Sequence, residues 1–136
     1  MIKQPKNIPI VWQKAEDVKS DLKKLVVKVG LTWIDLNRIY CLRSKHSTAR
    51  AYARIWGMSR IWQETLNIPA CYCIEVISEK YDKLSKIKQN EVLLHELAHI
   101  PKNFSGALIP HTRRKKGSFH DKLRNFLNTY KNVKES

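Results

Sequence analysis

The sequence predicts one domain that combines helices with a small sheet. Its 136 residues fall within the size range of one globular domain, and 43% of them are apolar, which excludes a typically disordered composition. Helix-type and strand-type hydrophobic patterns both occur, in the order helix, strands, helix, helix. No internal repeat or low-complexity linker interrupts this order. We therefore expect residues 1–136 to form a single domain.

The first half of the chain predicts one helix followed by a three-stranded sheet. Apolar residues at helical spacing run from Ala15 to Val29, after an irregular segment at 1–14, and Gly30 favours the end of this helix. The elements predicted next are a strand at 34–42, a turn at 44–48, strand character over 49–65 and the clearest strand at 71–78. The stretch 49–65 also fits a helix loosely, and its aromatic and β-branched residues favour a strand.

The second half predicts two helices separated by a loop. A helical pattern runs from about Ser85 to Ile100, where Pro101 disfavours further helical geometry. The next residues are rich in proline and glycine, as in loops. Ser118 then caps an amphipathic final helix, which ends near Tyr130, before a tail at 131–136.

Basic residues are concentrated at the C-terminal end of the chain. Lys and Arg number 26 against 12 acidic residues, which gives a formal charge of +14, and residues 101–136 hold 9 basic and 2 acidic residues. The densest run is Arg113, Arg114, Lys115 and Lys116. Such a surface attracts phosphate-rich partners and predicts DNA binding through this run, although a solvated surface that keeps a small protein soluble fits equally well.

Several features predict a cytoplasmic protein without a membrane partner. Pro5 and Pro9 interrupt the N-terminal segment, no apolar run there resembles a secretory signal, and no stretch has the length of a membrane span. Three cysteines, Cys41, Cys71 and Cys73, lie in apolar runs, and their odd number argues against a disulfide framework. We expect them to pack in the core.

The motif His95-Glu96-Leu97-Ala98-His99 carries the strongest chemical signal. Residues four apart lie on the same helical face, so the two imidazoles can converge on one Zn²⁺ ion. Glu96 is offset around the helix and is placed to act as the general base, taking a proton from a water that zinc has made more acidic. Apolar neighbours predict that this helix is buried, and buried polar groups need partners.

A catalytic zinc site needs a third protein ligand, and two histidines downstream are candidates. His120 lies in the first turn of the final helix and His111 follows Pro110 in the loop. We favour His120, because a packed helix positions a side chain better than a loop does. His111 would then stabilise the transition state near the substrate carbonyl, and the reverse assignment is the main alternative.

The stretch from Glu91 to His120, with its His-Glu-Leu-Ala-His-Ile-Pro and Phe-Ser-Gly-Ala-Leu segments, resembles the phage and archaeal metallopeptidases, a group of zincins. Ala53–Gly57 and Tyr72–Ser78 match the same pattern, so the resemblance covers roughly Ile34 to Leu127. More remotely, the order of elements is similar to that of SprT-like proteases, which cleave proteins crosslinked to DNA. The loop containing His111 is not part of the SprT-like pattern.

The resemblance implies a minimal zincin-like α+β fold in which a substrate peptide pairs with an edge strand, at 71–78 by analogy. We therefore expect a zinc-dependent metallopeptidase that acts on a protein or peptide substrate with one Zn²⁺ ion. Two alternatives remain open. One is a basic nucleic-acid-associated protein whose metal helix is structural or serves cleavage of DNA-linked proteins, and the other is a non-catalytic interaction domain.

Overall fold

The computed structural model describes residues 8–111 and 119–132. These residues form an α+β domain, as predicted, with a mixed sheet and five α-helices. The strands are β1 Val11–Lys14, β2 Ile39–Lys45, β3 Ala53–Gly57 and β4 Tyr72–Ile77. The helices are α1 Glu16–Val29, α2 Arg60–Leu66, α3 Ser78–Tyr81, α4 Lys86–Leu97 and α5 Phe119–Asn132, with a 3₁₀ turn at Leu36–Arg38.

The sheet has the strand order β1-β2-β4-β3. β1 pairs antiparallel with β2, β2 pairs parallel with β4, and β4 pairs antiparallel with β3. The prediction that 71–78 forms the edge strand is therefore wrong, because β4 has a partner on each side. The burial of its side chains agrees with a central position. Tyr72, Ile74 and Val76 on one face and Ile77 on the other are all buried.

The core lies between one face of the sheet and the long helices. Helix α1 contributes Val18, Leu22 and Leu25 to it, and α4 contributes Leu93, Leu94 and Leu97. Helix α5 closes the core with Phe119 and Phe126. As a result α4, which contains the first three residues of the predicted zinc motif, is packed between the sheet and α5.

The first half departs from the predicted elements in three places. β1 lies within the segment expected to be irregular, and it brings the sheet to four strands rather than three. The stretch 49–65 splits into β3 and α2, with Ser59 as the N-cap of α2 and Asn67 as its left-handed C-cap. The strand expected at 34–42 begins only at Ile39, because Asp35 accepts a hydrogen bond from the Asn37 amide and caps the 3₁₀ turn.

None of the helices described within residues 8–111 and 119–132 is long and apolar enough to cross a bilayer. The cysteines behave largely as expected. Cys41 is buried, whereas Cys71 and Cys73 are only partly so, and none of the three forms a disulfide.

Candidate metal and catalytic site

Helix α4 ends inside the motif rather than after it. The helix begins at Lys86, with Ser85 as the N-cap accepting a hydrogen bond from the Lys88 amide. It ends at Leu97, and the chain then tightens, with the His99 amide donating to the Glu96 carbonyl at 3.1 Å. His95 thus lies in the last helical turn and His99 in the turn that follows. Their ring centroids are 5.3 Å apart, so the two imidazoles still converge.

The loop after α4 brings a third imidazole to this pair. His111 Nε2 lies 3.2 Å from His95 Nε2, and the His99 and His111 ring centroids are 4.5 Å apart. One ring nitrogen each from His95, His99 and His111 lies within 4.8 Å of the others. Among the described residues, these three histidines form the group with metal-ligand spacing.

His120 lies beside this cluster. It is the second residue of α5 and is half-buried. Its ring centroid is 6.3 Å from that of His111. The geometry thus brings together His95, His99 and His111, the alternative third ligand, and leaves His120 next to them. The assignment of the third ligand stays a prediction.

Backbone contacts orient the His99 ring. His99 Nδ1 lies 2.6 Å from the Ile109 carbonyl, and the Ile109 amide donates to the His99 carbonyl at 2.7 Å. Because a carbonyl oxygen only accepts, Nδ1 carries the hydrogen and Nε2 keeps its lone pair. Metal-binding histidines are commonly oriented in this way.

The cluster favours neutral imidazoles, the form that binds a metal. Burial, followed by the neighbouring His99, His111 and His120 rings, lowers the pKa of His95 to about 4. Burial also lowers the pKa of His99 despite its hydrogen bond to Ile109. At neutral pH both imidazoles are therefore uncharged, and each has one ring nitrogen with a lone pair available to bind a metal.

Glu96 is a buried carboxyl group beside the cluster. Its side chain is 8% exposed, and its Oε2 lies 4.0 Å from His95 Nε2. Burial raises the pKa of Glu96 to about 8, and a cation at the histidine cluster would lower it again. Its position next to the ligand nitrogens is the one expected of a general base.

Phe119 packs against all three rings of the cluster. It is 1% exposed, stacks on His99 with a centroid distance of 4.3 Å, and meets His95 at 4.9 Å and His111 at 4.5 Å. An aromatic wedge of this kind limits the rotamers that the imidazoles can adopt. The amphipathic pattern of the last helix does not by itself reveal this contact with the three histidines.

The loop that carries His111 is fastened to the sheet and to α2. The Tyr72 hydroxyl accepts from the Gly106 amide at 2.8 Å and donates to the Ala107 carbonyl at 2.9 Å. Gln63 Nε2 donates to the carbonyls of Met58 and Ser105 at 2.9 Å each. Gly106 has a φ of 95°, and a Cβ there would lie 2.2 Å from the Met58 carbonyl oxygen, so glycine is required.

A groove opens beside the histidine cluster. Its volume is about 550 Å³, and its lining combines His95 and Glu96 with residues of β3, α4 and α5. The apolar part of the lining includes Tyr52, Ala53, Leu84, Val92, Leu123 and Leu127. β3 is an edge strand, and its first residue, Ala53, lines this groove. The groove is large enough for a peptide side chain.

The basic run Arg113, Arg114, Lys115 and Lys116 lies outside the described residues. Its predicted contact with DNA therefore stays a prediction.

An α+β domain in which three imidazoles converge next to a buried glutamate has the make-up of a metal-site protein. The comparisons with known proteins agree with this class. A family model described as Putative phage metallopeptidase matches residues 10–128, and the chain belongs to that family. The match extends the predicted resemblance to include β1 and α1. No curated protein and no solved structure gives a significant match.

Proposed function

We propose that this protein is a zinc-dependent metallopeptidase, with His95, His99 and His111 as metal ligands and Glu96 as general base. The convergence of three imidazole nitrogens within 4.8 Å beside the Glu96 carboxylate is the observation that carries the proposal. The family supports the reaction class. The alternative third ligand is His120, and its position on a packed helix is the reason for considering it.

The donor set fits zinc. Zn–N bonds of about 2.0–2.1 Å in a tetrahedron separate neighbouring nitrogens by about 3.3 Å, close to the 3.2 Å between His95 Nε2 and His111 Nε2. Three neutral imidazoles with one position left for water are the ligand set of several catalytic zinc sites. A bound Zn²⁺ would make water more acidic and polarise the carbonyl of a peptide bond.

Glu96 moves the proton in this proposal. Its carboxylate accepts a proton from the attacking water and then donates it to the nitrogen of the leaving amine, so the peptide bond is hydrolysed without a covalent enzyme intermediate. Burial, which raises the pKa of Glu96, and a bound Zn²⁺, which would lower it, act in opposite directions on this carboxyl group.

The substrate is a peptide segment in extended conformation. Ala53, the first residue of the edge strand β3, lines the groove that also contains His95 and Glu96. An extended peptide can add to such an edge by main-chain hydrogen bonds, while one of its side chains enters the groove. β3 thus takes the role that the sequence assigned to 71–78.

The variant Glu96→Gln tests this proposal. It removes the proton acceptor and keeps the shape, so we expect unchanged zinc content and a loss of 10²- to 10⁴-fold in cleavage of a heat-denatured protein substrate. Glu16→Gln, at an exposed acidic position on α1, is the matched control and keeps wild-type activity. Unchanged cleavage by zinc-loaded Glu96→Gln would refute the peptidase. A wild-type chain that takes up no stoichiometric zinc would favour a non-catalytic interaction domain.

A further inference from the structure

The face of the sheet opposite the main core carries a set of aromatic and basic side chains. Ile39, Cys41, Ile74 and Val76 point into the core, so their neighbours along each strand point the other way. The register places Tyr40 and Trp56 on either side of Cys73, Arg54 beside Glu75, and Trp12 beside Ser44. Together Trp12, Tyr40, Arg54 and Trp56 form what we call the aromatic face.

A single buried carboxylate holds this face in place. Glu75 is 1% exposed and accepts hydrogen bonds from Trp56 Nε1 at 2.9 Å, Trp12 Nε1 at 3.2 Å and Arg54 Nε at 2.7 Å. The Arg54 guanidinium also lies 5.2 Å from the Trp56 ring centre. Both indoles are thus fixed at the N–H end of the ring.

The rings of this face nevertheless remain open to solvent. Trp12 is 54% exposed, Trp56 is 53% exposed and Tyr40 is 58% exposed. Trp62 of α2, 57% exposed, joins Tyr40 and Trp56 in lining a groove of about 500 Å³. Burying a charged group to fix rings that then stay half exposed stabilises the core less than burying the rings would. The arrangement instead preorganises a contact surface.

The charge of the surface selects its ligand. The carboxylate of Glu75 is offset by its ion pair with Arg54, and Lys14 projects from the same face in register with Leu42. The whole chain carries +14. Half-exposed aromatic rings beside basic side chains match the alternating bases and phosphates of a nucleic acid strand.

We infer that the aromatic face, together with the adjoining Trp62 of α2, binds single-stranded nucleic acid, with unpaired bases stacking on Tyr40, Trp56 and Trp62. A duplex would not serve, because its bases are already stacked on one another and hide their ring faces. This inference is independent of the proposed peptidase activity. It also differs from the predicted role of Arg113–Lys116, which involves phosphate contacts only.

Fluorescence anisotropy of a labelled 20-nucleotide oligothymidylate tests the inference with the full chain. The variant Tyr40→Ala/Trp62→Ala removes two exposed rings but leaves the Glu75 hydrogen bonds, so the fold is retained. Stacking supplies enough energy per base that we expect the dissociation constant to rise at least tenfold. Tyr40→Phe/Trp62→Phe keeps two rings and most of the affinity.

Two controls separate stacking from general attraction. Ile87→Asn changes an apolar residue that is 63% exposed on α4, and it should leave the affinity unchanged. A 20-base-pair duplex should bind more weakly than the single strand and should be insensitive to the double alanine variant. The inference is overturned if the wild-type chain fails to bind the oligonucleotide or if the double alanine variant binds like wild type. Equal competition by polyglutamate would also overturn it, since it would indicate an acidic protein partner.

Discussion

Tyr72→Phe is the change that most sharply tests how the third ligand is held. The substitution removes one oxygen atom and keeps the ring, which packs edge-on against Phe104 with a centroid distance of 4.9 Å. It deletes the hydrogen bonds to Gly106 and Ala107, four to five residues before His111. Burial raises the pKa of Tyr72, so its hydroxyl is protonated and able to donate throughout the neutral range.

The size of the effect follows from these two bonds. Each contributes roughly 1 kcal/mol net, so the docked position of the loop is weakened by about 2 kcal/mol. If His111 is a metal ligand, zinc binding must restore that docking. The dissociation constant for zinc should then rise by up to about 30-fold.

Competition with a fluorescent zinc chelator measures this constant, and thermal unfolding measures stability in parallel. Tyr40→Phe is the matched control, because it removes a hydroxyl from the opposite face of the neighbouring strand and should leave zinc affinity unchanged. Wild-type zinc affinity in Tyr72→Phe, accompanied by lower thermal stability, would show that Tyr72 supports the fold only. The Tyr72 hydrogen bonds would then not be needed to position His111 for zinc.

Three further predictions concern the loop, the buried carboxylate and the basic run. Gly106→Ala should weaken zinc binding and lower stability, because the added Cβ would meet the Met58 carbonyl oxygen. Gly30→Ala is the control, since Gly30 also has a positive φ but no atom lies within 4 Å of the added Cβ. It should cost about 1 kcal/mol of stability and leave zinc affinity unchanged in the same titration. Burial raises the pKa of Glu75, but hydrogen bonds led by that from Arg54 outweigh it and hold the pKa at about 2, against an ordinary value of 4.5. The ionised carboxylate thus contributes up to about 3 kcal/mol to the free energy of unfolding above pH 4.5, and this contribution is lost as the pH falls towards 2. Glu75→Gln should flatten this part of the curve of stability against pH. A variant curve with the wild-type slope would contradict this prediction. Neutralising Arg113–Lys116 should weaken DNA binding and make it less dependent on salt concentration, because up to about three or four phosphate contacts would be lost. An unchanged salt slope would exclude phosphate contacts from this run.

The α+β class and the three long helices α1, α4 and α5 were predictable because their signals are local, whereas the short helices α2 and α3 were not predicted. Helix α1 was predicted over 15–29 and occupies Glu16–Val29, since five apolar residues share one face and Gly30 adopts the left-handed conformation that ends it. The start of α4 was equally clear from the Ser85 cap. Such features depend on residues within one or two turns of each other.

The sheet was less predictable because strand order depends on distant residues. β1 is four residues long, and all four are exposed, so it has no hydrophobic alternation to detect. The nearly continuous apolar run of β4 is typical of a central strand, whereas the resemblance to SprT-like proteases implied an edge strand. The end of α4 was placed three residues too late, because Pro101 limits a helix without fixing where its last turn tightens.

The site was predictable only as far as the motif extends. His95, Glu96 and His99 are recognisable by spacing, whereas the position of His111 depends on contacts made by Tyr72, Gln63 and Ile109 across the fold. The preference for His120 rested on the rigidity of a helix. The hydrogen-bonded loop also positions His111, so the choice between the two histidines stays a prediction.

The most direct measurement is a crystal structure of the zinc-loaded protein with anomalous scattering data at the zinc edge. The account predicts one zinc ion with nitrogen atoms of His95, His99 and His111 about 2.0–2.1 Å away, and the Glu96 carboxylate close by but not bonded to it. Zinc bonded to His120 in place of His111 would contradict the ligand set proposed here. Direct coordination by both Glu96 oxygens would contradict its role as general base.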